Sequence, residues 1–381
     1  MRIVVAPDSY KGSLSAIEVA NAIARGMLKV FPKAEVIKVP IADGGEGTAE
    51  ALVTATGGKV IHTEVTGPLS EKINAGWGIL GDGKTAVIEM AAASGLTLIA
   101  KEKRNPCITT TYGTGQLMKE ALDMGMRNFI ICIGGSGTND GGAGLAQALG
   151  VQFLDSHNHE LPLGGAALIN LAAINIANLD KRLQEAKIIV ACDVDNPLCG
   201  IRGASFVFGP QKGATSIMVE ELDEALQNYQ KIACQATGKD VAAIPGAGAA
   251  GGLGAGLMFF TAAKLQPGIE LVIEASGLSK KIENADLVIT GEGCTDYQTA
   301  FGKAPVGIAK LAKKFQVPVI CLSGSFGQGY QDVLNCDIDA LMNILPHPME
   351  IEKCMADAEI LTEEAAIRLG LILRVGIKLK I

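Results

Sequence analysis

The sequence is poor in aromatic and charged residues, and these shortages exclude several classes of protein. Aromatic side chains make up 4% and charged side chains 19% of the 381 residues, and the formal net charge is −7. No run of lysine and arginine is long enough to follow a phosphate backbone, so we expect no nucleic acid partner. The hydrophobic content of 48% excludes a disordered chain and predicts folded domains with large buried surfaces.

The sequence also lacks several motifs of secretion, membrane insertion and catalysis. The nine cysteines include no Cys-x-x-Cys pair, which predicts reduced thiols and a cytoplasmic protein. The first residues do not form a signal peptide, and the uncharged stretch 241–263 contains Pro245 and many glycines, so we expect no membrane span. A Walker A motif is missing, and the four histidines form no catalytic arrangement, so other loops must hold any nucleotide.

Glycine is abundant, with 47 residues placed between short apolar runs. The first 58 residues alternate strand and helix, and a capping box at Ser15 and Glu18 opens the first helix. Beyond residue 58, alternating runs joined by glycine turns predict antiparallel hairpins. We therefore predict an α/β protein of two domains. A parallel-sheet domain of residues 1–58 and 268–381 is split by an inserted α/β domain of residues 59–267 with a mixed sheet.

Twelve short apolar runs are predicted to be strands. They are residues 3–6, 35–39, 60–65, 73–79, 85–90, 129–133, 188–191, 204–208, 271–273, 287–290, 317–322 and 340–345. Six loops combine glycine with acids, hydroxyls or a lysine, and they are residues 8–13, 43–48, 134–142, 193–198, 209–213 and 290–296. Because ligands gather at the carboxyl ends of parallel strands, these loops are the predicted ligand-binding segments.

The first two loops carry acids, hydroxyls and a lysine. Lys11 is suited to neutralise a phosphate or a substrate carboxylate, and Asp8 is suited to orient a hydroxyl or a metal-bound water. Asp43 and Glu46, set among three glycines, are suited to hold an anion or a metal. Both loops also have a structural interpretation, in which Asp8 and Ser13 cap a helix and the second loop is a glycine-rich turn.

The remaining loops favour phosphate and metal chemistry. The 134–142 loop combines five glycines and two hydroxyls with a following helix, which suits a phosphate chain. Asp193 follows a strand, where a carboxylate serves as a general base or a magnesium ligand, and Lys212 stands in a Gly-Pro frame fit for phosphate or carboxylate. Glu292 and Asp296 share one turn and are suited to bind a metal. Turn formation or solvent exposure is the structural alternative at each position.

A second function class stays open at residues 246–251, which match the Gly-x-Gly-x-x-Gly dinucleotide fingerprint. A helix-like run follows, and Glu274 ends the next predicted strand, where an acid that binds ribose is expected. The run before the fingerprint, residues 241–244, where a dinucleotide fold needs a strand, is short and breaks at Pro245. A nicotinamide-dependent dehydrogenase is therefore the alternative to phosphate binding, and close helix packing also explains these glycines.

Together these motifs make the sequence similar to the bacterial glycerate kinase family over essentially its full length. The matching segments are residues 8–15, 40–48, 134–144, 193–200, 208–214, 245–254 and 290–293. The resemblance implies a cytoplasmic, ATP- and magnesium-dependent kinase of glycerate, with a flavodoxin-like domain and an inserted restriction-endonuclease-like domain. The sequence departs from the family at Cys294, where arginine is usual, so a non-catalytic, ligand-binding descendant of the family stays open.

We assign roles for in-line transfer of the ATP γ-phosphoryl group to a glycerate hydroxyl in the cleft between the domains, giving 2- or 3-phosphoglycerate. The catalytic residues are predicted to be Asp193, Lys11 and Asp8. The substrate-binding residues are predicted to be Lys212, Asp43, Glu46 and Ser13. The residues that bind nucleotide phosphates are predicted to be Gly134, Gly135, Ser136, Thr138, Asn139, Gly248, Gly251 and Gly252. Glu292 and Asp296 are the predicted Mg²⁺ ligands, and the sequence leaves a homo-oligomer open.

Overall fold

The computed structural model describes residues 1–42 and 44–379, which form two compact units. Unit 1 comprises residues 1–42, 50–57 and 269–379, and unit 2 comprises residues 44–49 and 58–268. The segment 44–49, which the predicted boundary placed with residues 1–58, groups with unit 2. The predicted substrate-binding residue Asp43 lies outside the described residues.

The described residues form fifteen strands and thirteen α-helices. In chain order the strands are β1 Arg2–Val5, β2 Glu35–Lys38, β3 Lys59–Thr66, β4 Lys72–Ile79, β5 Thr85–Glu89, β6 Asn128–Cys132, β7 Gln152–Leu154, β8 Ala173–Asn175, β9 Lys187–Ala191, β10 Lys264–Gln266, β11 Leu287–Thr290, β12 Cys294–Thr295, β13 Val319–Ser323, β14 Ser325–Phe326 and β15 Ala340–Asn343. The helices are α1 Ala16–Val30, α2 Thr48–Thr56, α3 Ala91–Ser94, α4 Tyr112–Asp123, α5 Ala143–Ala148, α6 Ala204–Phe208, α7 Ser216–Thr237, α8 Ala249–Phe260, α9 Gly268–Ala275, α10 Leu278–Ile282, α11 Ala304–Lys313, α12 Ile351–Ala356 and α13 Ala358–Leu379.

Unit 1 is built on a five-stranded parallel sheet in the order β15-β13-β11-β1-β2. When its five strands are counted along the chain, this order reads 2-1-3-4-5 from the β2 edge, which is the flavodoxin-like order. The order reverses between β1 and β11. Ligands of open α/β sheets bind beyond the carboxyl ends of the strands at such a switch point, so the loops after β1 and β11 are where unit 1 is expected to bind one.

Helix α1 shows how the sequence directs the local structure of unit 1. The backbone N–H of Glu18 donates to Ser15 Oγ at 3.3 Å, and the Ser15 backbone N–H donates to the Glu18 carboxylate at 2.8 Å. The predicted capping box is therefore confirmed, and it satisfies two backbone donors that the first turn leaves unpaired. One face of α1, including Ile23 and Met27, joins α13 and the strands β1 and β11 in the core of the unit.

Unit 2 contains a six-stranded mixed sheet in the order β10-β9-β6-β5-β4-β3. Neighbouring strands are parallel from β10 to β5, and the β5/β4 and β4/β3 pairs are antiparallel. The predicted hairpins of residues 60–65, 73–79 and 85–90 are confirmed by these pairs. Because β5, β6 and β9 are parallel, their carboxyl ends lie along one edge of the sheet.

Two apolar clusters fill unit 2. One surrounds Trp77 and Phe129 on the mixed sheet. The other gathers aromatic rings, with Phe153 and Phe260 edge to face at 5.8 Å and Tyr229 near Phe259 at 5.7 Å. These buried aromatic side chains each remove a large apolar area from water.

The predicted α/β class, with a parallel sheet and a separate mixed sheet, is confirmed. Two predicted strands are wrong, because residues 204–208 form α6 and residues 271–273 lie inside α9. Both are short apolar runs, and hydrophobicity alone does not separate a buried strand from a buried helical turn. Within residues 1–42 and 44–379, no helix combines the length and the apolar character that crossing a bilayer requires.

Candidate functional site

The loops after β1 and β11 meet at the switch point of the unit 1 sheet. The backbone N–H of Asp8 donates to the carbonyl oxygen of Gly291 at 2.8 Å. Gly293 lies so close to the other loop that a Cβ at this position would stand 3.1 Å from the Lys11 backbone nitrogen. The fold therefore brings the predicted residues Asp8, Lys11 and Glu292 to one edge of unit 1.

The carboxylate of Glu292 is buried and held by hydroxyl groups. Thr299 Oγ1 donates to Oε1 at 2.6 Å and Thr295 Oγ1 donates to the same oxygen at 3.2 Å. The hydroxyls of Thr295 and Ser323 share a further hydrogen bond of 2.7 Å. Burial raises the pKa of Glu292, while the hydrogen bond from Thr299 and the nearby Lys303 ammonium oppose that rise. The carboxylate is thus fixed in orientation before any ligand arrives.

Lys303 lies between the two carboxylates that are predicted to bind magnesium. Its Nζ is 4.0 Å from Glu292 Oε2 and 3.9 Å from Asp296 Oδ1, and its side chain is 38% exposed. Among the residues that the structure describes, no three histidine, cysteine, aspartate or glutamate side chains form a metal site. Mg²⁺ needs only one or two protein carboxylates when phosphate oxygens and waters complete its shell, so Glu292 and Asp296 fit a magnesium ion that binds together with a nucleotide.

The side chains of the 8–13 loop differ in their exposure and in their hydrogen bonds. Lys11 is exposed, so its ammonium is accessible to an anion. The Ser9 backbone N–H donates to Asp8 Oδ1 at 2.6 Å. Ser13 Oγ donates to the carbonyl oxygen of Met355 in α12 at 3.1 Å. The hydroxyl proton of Ser13 is committed to this structural contact, and this argues against its predicted role in substrate binding.

In unit 2, the segment 44–49 is tied to the end of β5 by Glu89. The carboxylate of Glu89 accepts hydrogen bonds from the backbone N–H groups of Ala49 at 2.6 Å and Gly47 at 3.2 Å. These bonds satisfy backbone donors around the first turn of α2. Glu46, a predicted substrate-binding residue, is exposed on the segment that Glu89 holds.

The same segment contacts the ends of the two neighbouring strands. Gly44 lies against Ala191, the last residue of β9. A Cβ on Gly134, which follows β6, would stand only 2.9 Å from the Cα of Gly45, so no side chain fits at position 134. Segment 44–49 and the start of the 134–142 loop are therefore brought together at the carboxyl edge of the unit 2 sheet.

Asp193 lies at this edge, two residues beyond β9. Its Oδ1 accepts a hydrogen bond from the backbone N–H of Gly268 at 2.8 Å. This contact fixes the orientation of the carboxylate, and an ionised carboxylate has further lone pairs that can accept a proton or a hydrogen bond. The position suits the predicted role of Asp193 as a base that orients and deprotonates a hydroxyl.

Only the first part of the 134–142 loop reaches the surface. Gly135 is exposed, Gly134 is partly exposed and Ser136 is 9% exposed, whereas Thr138 and Asn139 are fully buried. The accessible part of the loop is therefore Gly134 and Gly135, with a small part of Ser136. The predicted phosphate contacts of Thr138 and Asn139 do not agree with their burial, because the chain that follows the turn runs into the interior of unit 2.

Lys212 also lies in the interior, with 1% of its surface exposed. Its Nζ donates to the carbonyl oxygen of Thr138 at 2.6 Å. Burial lowers the pKa of Lys212 to about 7, although the nearby carboxylate of Asp140 acts in the opposite direction. The Gly-Pro frame forms a short 3₁₀ turn, Pro210–Lys212, that directs the side chain inward. The predicted contact of Lys212 with a substrate anion is therefore corrected.

The glycines at 248, 251 and 252 are buried against protein backbone. A Cβ on Gly251 would overlap the carbonyl oxygen of Thr138, and a Cβ on Gly248 would overlap that of Pro197. Helix α8 departs from helical geometry at residues 250–252 and is regular only beyond them. Gly251 and Gly252 allow close packing against the 134–142 loop and Gly248 against Pro197, and their predicted phosphate contacts are corrected accordingly.

The dinucleotide fingerprint at residues 246–251 also lacks its structural context. Residues 241–244, all of which the structure describes, form no strand, and Glu274 lies inside α9 rather than at a strand end. A dinucleotide fold needs the glycine turn between a strand and a helix, with the acid at the end of the following strand. The dehydrogenase alternative therefore has no support in the fold.

Glu89 and Asp140 are acidic residues of unit 2 that hold these loops by hydrogen bonds and that were given no role from the sequence. Glu89 is the last residue of β5 and the last but one of the strand predicted at 85–90, so the rule that singled out Asp193 near a strand end also identifies it. Asp140 lies within the predicted phosphate loop, but nothing in the local sequence indicates that its carboxylate turns inward. It accepts hydrogen bonds from both the backbone N–H and the hydroxyl of Thr111 at 2.8 Å.

Comparison with known proteins was consistent across sequence and structure. The model of the glycerate kinase family matches residues 3–374. A Halalkalibacterium halodurans protein named glycerate kinase is 50% identical over 370 residues, which are 97% of each chain. An Escherichia coli protein named glycerate 2-kinase is 54% identical over 345 residues, 91% of each chain. A solved structure from Salmonella typhimurium LT2, provisionally named glycerate kinase 2, superposes with a TM-score of 0.91 at 48% identity over 99% of each chain.

Proposed function

The chain belongs to the glycerate kinase family and is a phosphotransferase, and from this premise we propose that it transfers the γ-phosphoryl group of Mg-ATP to the 2-hydroxyl of D-glycerate. The products are 2-phosphoglycerate and ADP. The choice of the 2-hydroxyl is supported by the Escherichia coli relative, which is named glycerate 2-kinase and is 54% identical to this chain. Transfer to the 3-hydroxyl is the alternative that product analysis must exclude.

The observation that carries the proposal is the convergence of three segments at the carboxyl edge of the unit 2 sheet. The exposed backbone of Gly134 and Gly135, the segment 44–49 and the carboxylate of Asp193 all lie there. Glycine backbone admits close approach of phosphate oxygens, and a neighbouring carboxylate supplies a base. Phosphoryl transfer needs such positioning and charge neutralisation more than it needs covalent chemistry.

The roles of the side chains follow from their charge and accessibility. Asp193 orients the glycerate hydroxyl and accepts its proton as that oxygen forms a bond to the γ-phosphorus and the bond to the ADP oxygen breaks. Lys11, an exposed cation beside Asp8, neutralises an anionic group of a substrate. Glu292 and Asp296 would hold Mg²⁺, which supplies charge neutralisation at the phosphate oxygens when bound. The nine free thiols support a reducing compartment, and we place the enzyme in the cytoplasm.

The test is a coupled assay of the purified protein with D-glycerate, ATP and Mg²⁺, followed by NMR of the product. We expect ADP release that depends on glycerate and a phosphorus signal coupled to the proton on C2. A signal coupled to the C3 protons would assign 3-phosphoglycerate and overturn the proposed position of transfer. Ligand binding without turnover would identify a non-catalytic descendant of the family and overturn the proposed reaction.

A further inference from the structure

Two buried ionisable residues, Lys212 and Asp140, support the 134–142 loop within unit 2 and take no part in the proposed transfer. Both side chains are almost completely removed from solvent. Lys212 Nζ donates to the carbonyl oxygen of Thr138, so it holds the backbone in the middle of the loop. An ammonium group is costly to bury, and a carbonyl oxygen with a neighbouring carboxylate is the kind of partner that allows it.

Asp140 holds the end of the same loop. Its carboxylate accepts hydrogen bonds from the Gly142 backbone N–H at 3.1 Å and the Gly144 backbone N–H at 3.3 Å. It also accepts two bonds from Thr111, which joins the loop to the segment before α4. Burial raises the pKa of Asp140, and the hydrogen bonds from Thr111, Gly142 and Gly144 oppose this rise. One carboxylate thus fixes the start of α5 and the exit of the loop together.

Backbone bonds complete the fixation of the loop. The Gly137 N–H donates to the Ser94 carbonyl oxygen at 2.9 Å, and the Gly141 N–H donates to the Gly251 carbonyl oxygen at 2.9 Å. The 134–142 loop is therefore held from its middle to its end, while its first residues face the surface. A flexible glycine loop gains a defined shape from such supports, and a defined shape is what phosphate positioning requires.

The surroundings of the pair are not those of a site optimised for stability. Among the described residues, the buried atoms Thr138 Oγ1, Asn139 Oδ1 and Tyr229 Oη have no hydrogen-bond partner. An apolar core of the same volume avoids these penalties, so polar groups retained at such a position point to a role in specifying conformation. The 134–142 loop above them is the feature that this conformation serves.

We propose that Lys212 and Asp140 are positioning residues, which set the nucleotide-binding shape of Gly134, Gly135 and Ser136 from beneath without touching the substrates. The inference rests on the proposed function, because it takes these three residues as the phosphate contact. It predicts that loss of either charged side chain weakens nucleotide binding more than it affects the binding of glycerate.

The experiment compares Lys212→Met with Lys239→Met in the full-length enzyme. Lys239 is a matched control because its Nζ also donates to backbone carbonyls, those of Met258 at 2.9 Å and Thr261 at 2.6 Å, at the other end of α8. We expect Lys212→Met to raise the KM for ATP by about tenfold or more, as a misplaced phosphate cradle would. The KM for glycerate should change less than twofold, and Lys239→Met should leave both values near those of the wild type.

Two further variants separate a loss of loop support from a general loss of folding. Asp140→Asn keeps the volume of the side chain and tests the pair if Lys212→Met does not fold, and calorimetry with ADP then reports nucleotide binding directly. An unchanged KM for ATP, equal changes in both KM values, or failure of both variants to fold would each overturn the inference.

Gly134→Ala, whose new methyl would push against Gly45, tests the loop itself. If it raises the KM for ATP and the Lys212 and Asp140 variants do not, the inference alone fails. If none of the three raises it, the proposed phosphate site fails as well.

Discussion

The two units have similar glycine-rich motifs at the carboxyl edges of their sheets. They differ in whether the charged side chains near these motifs lie at the surface or in the interior. In unit 1, Glu292, Asp296 and Lys303 form a charged cluster in which the lysine is 38% exposed. In unit 2, the corresponding glycine-rich loop exposes backbone, while Asp140 and Lys212 lie in the interior. Glycine beside an acid and a lysine therefore locates a ligand loop, but it does not reveal whether the charges face the ligand or support the loop.

Asp193→Asn is expected to produce the largest effect, because it removes the one carboxylate that the proposal places against the reacting hydroxyl in unit 2. Loss of a general base lowers kcat by about 10²- to 10⁴-fold, and the amide oxygen still accepts the Gly268 hydrogen bond, so the melting temperature should stay near that of the wild type. Steady-state kinetics and thermal unfolding provide the measurement. Asp195→Asn, on the same loop in an exposed ion pair with Arg202, is the control. A variant at 193 that retains most of its kcat would remove Asp193 from the mechanism.

Glu292→Gln tests the claim that the charged cluster of unit 1 binds the metal. Without the ionised oxygen, the Mg²⁺ concentration for half-maximal activity should rise by at least about tenfold, since even a lost supporting partner costs a metal site that much. Titration of activity with Mg²⁺ at saturating ATP gives this value. Glu350→Gln changes an exposed acid that precedes α12 in the same unit and should leave the titration unchanged. Identical magnesium curves for the two variants would show that the cluster binds no metal.

Glu89→Gln tests how strongly the Glu89 carboxylate holds the segment 44–49 at the edge of the unit 2 sheet. The amide cannot accept both backbone N–H groups as an anion does, so the free energy of unfolding should fall by about 1–2 kcal/mol. Hydrogen exchange at the amides of Gly47 and Ala49 should accelerate, and mass spectrometry of peptides that cover 44–49 measures this. Glu64→Gln, in an exposed pair with Lys72 on the same sheet, should cost almost nothing. Unchanged exchange at 44–49 would mean that other contacts hold the segment.

The sequence predicts the sheets and the glycine-rich loops at the strand ends well because both depend on local pattern. Strand ends and glycine turns identified Asp8, Asp193 and Glu292, and the fold brings Asp8 and Glu292 to the edge of one sheet and Asp193 to the edge of the other. Lys212 and the glycines at 248–252 were misjudged because side-chain direction depends on packing with distant segments. The short helix at 204–208 was misjudged because its apolar run is equally compatible with a strand.

The smallest expected effect concerns the pH dependence of the unit 1 cluster. Burial already raises the pKa of Glu292, and the hydroxyl of Thr299 is the strongest influence that opposes the rise. Thr299→Val removes that donor with little change of volume, so the carboxylate becomes easier to protonate. Because protonation abolishes the proposed metal ligand, the acid limb of the kcat profile should move to higher pH.

The control is Thr237→Val in unit 2, which removes a hydroxyl that donates to the Ala233 carbonyl of its own helix and accepts from the Lys239 backbone N–H at 3.3 Å. The two variants should lose comparable stability, but only Thr299→Val should shift the acid limb. A shift in the opposite direction would mean that the protonated form of Glu292 is the active one. Coincident profiles would mean that Glu292 does not control the acid limb, and the charged cluster of unit 1 would then lose its proposed functional meaning.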